Sequence, residues 1–392
     1  MDPTETTATN EAKNLSLFEA SSIVAGLGVG GGIMAVPFLA SLNGLVPIIL
    51  IMVLAYGLSL LLHLMITEMV MRDAESTQLV ETFGKFLFRQ KYGALFTWIF
   101  FGLVVLNFYA LLTAFIVGSG DLLINLMGIP PWSAKLITYI CAAGPIFFGL
   151  KALGVSEKIA IIGILVLVAI LIFGSFNIPF NNLPLFSYSA KAALALYGMV
   201  MFAFACFFSI PQAVNGLQHN KKQIPKAVAL GIGINLLLVF SVTIMTMLAS
   251  KEITELAIIG WGNAIGPWAI TMGSGFVFLA IMTSYWSTSY ALAIVIEERL
   301  KWDYRLCWLV ATLPTLVLAM ANITGFLGFM RIAGGLLAVL ISIMVIPAYR
   351  GSIKYGTNQM PEFKLDVLGR SMFQVIVVIA YILVVVGSAV TL

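Results

Sequence analysis

The chain has 392 residues, of which 61% are hydrophobic and 10% charged, and its mean hydropathy is +1.05. A water-soluble fold has nowhere to put that much apolar surface, so the composition excludes a soluble enzyme or binding module and requires a polytopic membrane protein. The net charge of +4 is too small to imply nucleic acid, and Cys141, Cys206 and Cys307, each in an apolar run, form no metal-ligand spacing or disulfide framework.

Residues 1–16 (MDPTETTATNEAKNLS) are polar, lack a basic n-region and read as a short cytoplasmic tail. Apolar runs long enough to cross a bilayer follow near 17–40, 45–69, 94–126, 133–150, 159–176, 191–217, 226–249, 263–297, 306–321, 325–347 and 370–391, eleven in all. With the N-terminus inside, every Lys and Arg falls in a cytoplasmic segment except Lys135, Lys191 and Lys251 outside and Arg331 within a span. That asymmetry sets the orientation and places the C-terminus outside. No linker divides the chain, so residues 17–391 read as one membrane domain.

Two spans are odd. Span one carries GLGVGGGIMAVPF, with Gly26, Gly28, Gly30, Gly31 and Gly32 ahead of Pro37; span six carries CFFSIPQAV around Pro211. Interrupted helices at matching places in two halves are the sequence mark of an inverted-repeat transporter. Aligning Ala35-Val36-Pro37 with Ser209-Ile210-Pro211 makes spans one to five (about 17–176) and six to ten (about 191–347) two units of opposite orientation, with span eleven (about 370–391) left over. Each break is expected just before its proline, which removes a donor and clashes with the carbonyl four residues back. The pairs Gly26/Gly30 and Gly28/Gly32 also fit helix packing through GxxxG. The second broken span favours a binding break.

The segments GLGVGGGIMAVPFLASLNG, FAFACFFSIPQAVNGLQHNKKQIPKAVALGIGI and TSYWSTSYALAIVIEERL resemble spans one, six and eight of bacterial aromatic and hydroxy amino acid permeases. The related amino acid and auxin permeases share the glycine-rich first helix. The resemblance implies the amino acid, polyamine and organocation (APC) superfamily. It also implies an all-α fold with a leucine-transporter-type 5+5 inverted repeat, broken helices 1 and 6 and one extra helix, in a prokaryotic cell membrane.

An amino acid brings two charges into a low-dielectric site, and both need fixed partners. The span-one break is expected to offer amide groups around Gly28, Val29, Gly30, Gly31 and Gly32 to the carboxylate, at the positive end of the outer half-helix. Unwinding near Phe204, Ala205, Cys206 and Phe207 would expose carbonyls to the ammonium, with Phe202, Phe204, Phe207 and Phe208 flanking a side-chain pocket. Asn107 and Tyr109 in span three are further candidates.

The resemblance implies an ion site in which Thr283 and Ser284 join carbonyls near Ala25 and Gly28, an oxygen-only set suited to Na⁺. Some superfamily members carry a lysine in span five instead. Leu165 or its neighbour stands at that position here, and Lys158 falls too near the cytoplasmic end, so coupling to Na⁺, to H⁺ by another route, and exchange all stay open. Of the ionisable residues within spans, Glu68 and Arg331 are expected to snorkel, and His63 to be a hydrogen-bonded structural residue or a proton relay. The function that emerges is a cofactor-free secondary transporter for neutral amino acids, aromatic or hydroxylated ones among them. The alternative is an amino-acid sensor on the same fold without net transport. The chain has no HExxH, P-loop or G-x-S-x-G to suggest an enzyme.

Overall fold

A computed structural model describes residues 14–73, 75, 77–187, 189–250 and 257–389. Residues 1–13 of the predicted tail, Lys251, the last residues of the predicted eleventh span and the side chain of Arg331 lie outside the description. Among the described residues the secondary structure is entirely helical. The chain enters the bundle at once: the Leu15 amide donates to Gly216 O at 2.9 Å and its side chain is buried. Ser16 and Glu19 then close a reciprocal capping box that starts α1 (Leu17–Val29).

Span one bends by 54° between α1 and α2 (Gly31–Ser41), with Gly30 alone between them. The break therefore falls within the glycine run, seven residues before Pro37, and not immediately before the proline, which lies inside α2. Each glycine costs about 1 kcal/mol of helix propensity relative to alanine, so the run from Gly28 to Gly32 yields first. Pro37 then removes one hydrogen bond from a helix already under way.

The remaining helices are α3 (Leu45–Met71), the short connecting α4 (Leu79–Phe86), α5 (Gly93–Met127), α6 (Pro131–Phe147), α7 (Leu150–Ser175), α8 (Ala190–Ala203), α9 (Ile210–Gly216), α10 (Ile224–Ala249), α11 (Ala257–Ile265), α12 (Pro267–Leu300), α13 (Tyr304–Met320), α14 (Phe326–Tyr355) and α15 (Ser371–Ala389). Among the described residues six segments are long and apolar enough to cross a membrane: α3, α5, α7, α8 through α9, α10 with the turn before it, and α12; the bent α1/α2 pair makes a seventh. In chain order α6, α13, α14 and α15 take the places of predicted spans four, nine, ten and eleven.

Two predicted boundaries are wrong in an informative way. Span five starts at Leu150, not near 159, because Gly149 (φ +87°) ends the preceding turn and the polar stretch after it stays helical. Lys151 and Lys158 thus lie within α7, where both pair with Glu19 of α1 at 2.6 and 2.9 Å. Span eight is split at Gly266, whose φ of +141° only glycine adopts readily. The predicted residues 263–265 belong to α11 instead.

The two broken spans sit at the centre: α1 packs on α10, α12 and α7, and α2 on α8 and α10, while α15 lies outside against α8 and α14. At the N-terminal side of the bundle Glu68 does not snorkel. It is 2% exposed, and its Oε1 accepts from Arg72 Nε and Nη2 at 3.0 and 2.7 Å. Its Oε2 accepts from the Tyr349 hydroxyl at 2.8 Å and the Leu365 amide at 3.0 Å, tying α3 to α14 and to the segment beyond it.

Candidate functional site

In span six, α8 stops at Ala203; Phe204–Cys206 are irregular, a 3₁₀ turn covers Phe207–Ser209, and α9 starts with Pro211 in its first turn. There the missing proline amide costs nothing. Buried backbone groups at such a break need partners, and α3 supplies two. Ser59 Oγ donates to Phe204 O at 3.2 Å, and the Cys206 amide donates to His63 Nε2 at 3.0 Å. Because Nε2 accepts, the imidazole proton sits on Nδ1, 2.7 Å from Ser59 O. His63 is thus neutral and braces the break, stacked on Phe207 at 4.8 Å between ring centres.

Those bonds occupy much of what the predicted carbonyl cluster offered. Phe204 O also accepts from the Cys206 amide, and Cys206 O from both the amide and the hydroxyl of Ser209. Ala205 O is the carbonyl of the break that accepts no hydrogen bond among the described residues. In span one, Gly31 and Gly32 open α2, so their amides have no partner in their own helix. Gly28 and Val29 lie in the last turn of α1 and present carbonyls there rather than amides. The predicted five-residue donor cluster narrows to Gly31 and Gly32.

Each even-numbered glycine of span one allows a close approach by a neighbouring segment. A β-carbon at Gly26 would sit 2.0 Å from Glu157 Oε2; at Gly28, 2.0 Å from Asn235 Nδ2 and 2.7 Å from Cys206 Sγ; at Gly30, 2.4 Å from Ser284 Oγ; at Gly32, 2.8 Å from Ala203 Cα. The packing and binding accounts of these glycines are therefore not exclusive. The same bare backbone that lets α7, α10, α12 and α8 close in also faces a cavity.

That cavity, of about 40 Å³, lies between the two breaks. Gly28, Gly30, Gly32 and Ala205 give it backbone, Phe108, Phe115, Phe202 and Phe208 wall it, and Ser284 and Thr288 are its hydroxyls. No charged side chain lines it among the described residues. Of the predicted residues, Val29, Phe204, Cys206 and Phe207 pack behind it, fully or almost fully buried. Tyr109 points away and donates to Val310 O of α13 at 2.7 Å. Span three contributes Phe108, Leu111 and Phe115, a helical stripe one residue round from both Asn107 and Tyr109. Phe108 meets Phe208 edge to face at 4.6 Å. Thr288, which nothing in the sequence singles out, also lines the cavity; its Oγ1 is buried without a partner among the described residues.

The predicted ion set is not assembled. Thr283 Oγ1 bonds back to Ala280 O of its own helix at 3.0 Å. Ser284 does reach span one, but at Gly26 O (2.9 Å) and Leu27 O (3.3 Å) rather than at Ala25 or Gly28. Next to that contact stands Glu157 of α7, fully buried, which the late start assigned to span five left in a loop.

Beyond the cavity the two sides differ. Toward the N-terminal side a space of about 870 Å³ is lined by Gln78, Gln212, Tyr290, Glu297 and Glu298, among others. On the opposite side a space of about 160 Å³ lies between Met34, Asp121, Ile258 and Phe326.

The sequence matches the tryptophan/tyrosine permease family over residues 13–388, nearly its whole length. The chain belongs to that family. This permease is accordingly a secondary transporter and an integral membrane protein, not an enzyme. No match was found among curated protein sequences. Solved structures share its fold. One is Mhp1, a nucleobase-cation-symport-1 family transporter with bromovinylhydantoin bound (12% identity, TM-score 0.61, covering 95% of the permease and 90% of Mhp1). Another is MhsT in complex with L-phenylalanine (14%, 0.60, 96% and 99%). A third is a mutant form of the Eremococcus coleocola manganese transporter (15%, 0.65, 95% and 85%). Identities this low speak to fold alone, and that fold is the leucine-transporter type with helices 1 and 6 broken.

Proposed function

We propose that this permease carries a neutral aromatic amino acid of the tryptophan or tyrosine kind across a prokaryotic cell membrane by alternating access. On this reading it is a member of the APC superfamily driven by a Na⁺ or H⁺ gradient, with its N-terminus in the cytoplasm. Residues 17–176 and 191–347 are its two inverted units, and the helix of about 370–391 is the extra one. The observation that carries the proposal is the small, charge-free cavity between the two breaks, walled by four phenylalanines and rimmed by backbone. A carboxylate fits against the Gly31 and Gly32 amides at the positive end of α2, an ammonium against Ala205 O, and an aromatic ring against Phe108, Phe115, Phe202 and Phe208. MhsT, which holds L-phenylalanine on the same fold, supports that assignment.

The cavity as it stands has room for about three waters at roughly 10–15 Å³ each, so the phenylalanines must part to admit the ligand. The larger space toward the N-terminus would then be the release route. Liposomes containing the purified permease should accumulate tryptophan or tyrosine under an imposed pH or Na⁺ gradient. The same amino acid should raise the thermal midpoint of the protein in detergent. Binding without accumulation under either gradient would select the sensor instead, and neither response across all amino acids would sink both readings.

A further inference from the structure

The inference rests on the transporter reading and names the coupling site. Glu157 lies within α7 and is 0% exposed. Its Oε1 accepts from Ser287 Oγ of α12 at 2.6 Å, while its Oε2 is buried with no partner among the described residues. The carboxyl fills the gap between α7 and α1, so close that Gly26 has no room for a β-carbon. No cation pairs with it among the described residues. The neighbouring Lys158 turns to Glu19, as does Lys151. On the other elements packed against α7, the titratable groups are Glu19 on α1, Lys135, Tyr139 and Cys141 on α6, Lys226 on α10, and Tyr285, Tyr290, Glu297, Glu298 and Arg299 on α12. None bonds to Glu157 among the described residues. The last-turn carbonyls of α1, the negative end of its dipole, lie beside it.

A bare carboxylate in such surroundings is costly, and it must take up a positive charge. Na⁺ would need several oxygen ligands with space between them, but the oxygens here are already bonded to one another. Ser284 Oγ donates to Gly26 O and Leu27 O, Ser287 Oγ to Glu157 and Ile23 O, and Thr283 Oγ1 to its own helix, so these oxygens close on one another at hydrogen-bond distance instead of spreading around an ion. A proton on Oε2 needs no such space.

An open space also comes close to it. Ser287 O accepts from Gln212 Nε2 at 2.9 Å, and Gln212 lines the 870 Å³ space on the N-terminal side, as does Tyr290 one turn along α12 from Ser287. In the other direction along α12, Ser284 lines the substrate cavity one turn away. We propose that Glu157 is the proton-binding group that couples this permease to a pH gradient, with Ser287 positioning it and Ser284 and Gly26 linking it to the substrate cavity. No bond of the substrate changes. A proton is taken up from water on one side and released on the other as the two broken spans rearrange.

Glu157→Gln mimics the protonated acid in shape but cannot exchange a proton. In liposomes, tryptophan accumulation under a pH gradient should fall by about tenfold or more and tryptophan-linked proton entry, read with an internal pH dye, should vanish. Counterflow of labelled against unlabelled tryptophan should persist and lose its pH dependence. Ser287→Ala, which keeps the carboxyl but removes its one donor, should move the pH midpoint of accumulation while counterflow continues, and it tests the proposal if the glutamine variant does not fold.

Accumulation by Glu157→Gln at the wild-type level, an unmoved midpoint in Ser287→Ala, or a glutamine variant that binds tryptophan yet does neither accumulation nor counterflow would each overturn the proposal. So would wild-type accumulation that follows a Na⁺ gradient and ignores pH. A wild type inert in both accumulation and counterflow refutes the transporter reading itself, a result distinct from any of these.

Discussion

Replacing Gly30 with leucine should abolish tryptophan accumulation while leaving the protein inserted and folded. The β-carbon alone would come within 2.4 Å of Ser284 Oγ and the side chain would run on toward Phe115. Both residues line the cavity between the breaks, so the added volume falls where the ligand's carboxylate and ring are proposed to lie. Exclusion of the ligand from that volume should cost roughly a hundredfold or more in apparent affinity, about 2.8 kcal/mol. Gly30→Ala meets Ser284 Oγ at 2.4 Å and its Cβ at 3.0 Å but extends no further into the cavity, and should lose less. Equilibrium binding of labelled tryptophan, with size-exclusion profiles as the folding control, reads both variants. Wild-type binding by Gly30→Leu would leave the glycines a packing role only.

The largest effect on stability should come from a residue remote from that cavity. Glu68→Ala removes the acceptor of two Arg72 donors, the Tyr349 hydroxyl and the Leu365 amide, all within 3.0 Å. Arg72 is 6% exposed, so the variant leaves a buried cation uncompensated. Loss of one partner of a buried pair typically costs about 3–5 kcal/mol. Thermal unfolding in detergent should show a clear fall in midpoint, and Glu68→Gln, which keeps an acceptor oxygen, should fall less. An unchanged midpoint for Glu68→Ala would mean that water reaches Arg72 after all.

Much of the fold was legible because the bilayer imposes length, and length is visible in hydropathy. The starts of spans one and two fell on the residues where α1 and α3 begin, and the break of span six fell just before Pro211. What hydropathy misplaced were helix ends made of polar residues with partners elsewhere in the fold. Lys151, Glu157 and Lys158 read as loop because a sequence cannot show that Glu19 and Ser287 await them. Glu68 read as a snorkelling side chain for the same reason: its partners Tyr349 and Leu365 are nearly 300 residues away in sequence.

The candidate site was legible in its backbone and less so in its side chains. Glycine composition announces a break, but the rotation of a helix is fixed by packing, so the sequence points to Tyr109 where Phe108 faces the cavity. Span six shows the complementary error. Its carbonyls look free in the sequence, which does not show that Ser59 and His63 of α3 hold the break from behind.

The contact between Gly26 and Glu157 carries a consequence for descent. A methyl group added at position 26 would meet the far end of a flexible side chain, not a wall of backbone. Helix α1 could therefore survive the change while the carboxyl was pushed out of place. Selection acting on the carboxyl would then be felt at a glycine on another helix, and the two alignment columns would behave as a single inherited character. A relative that had lost the acid would be free to fill position 26.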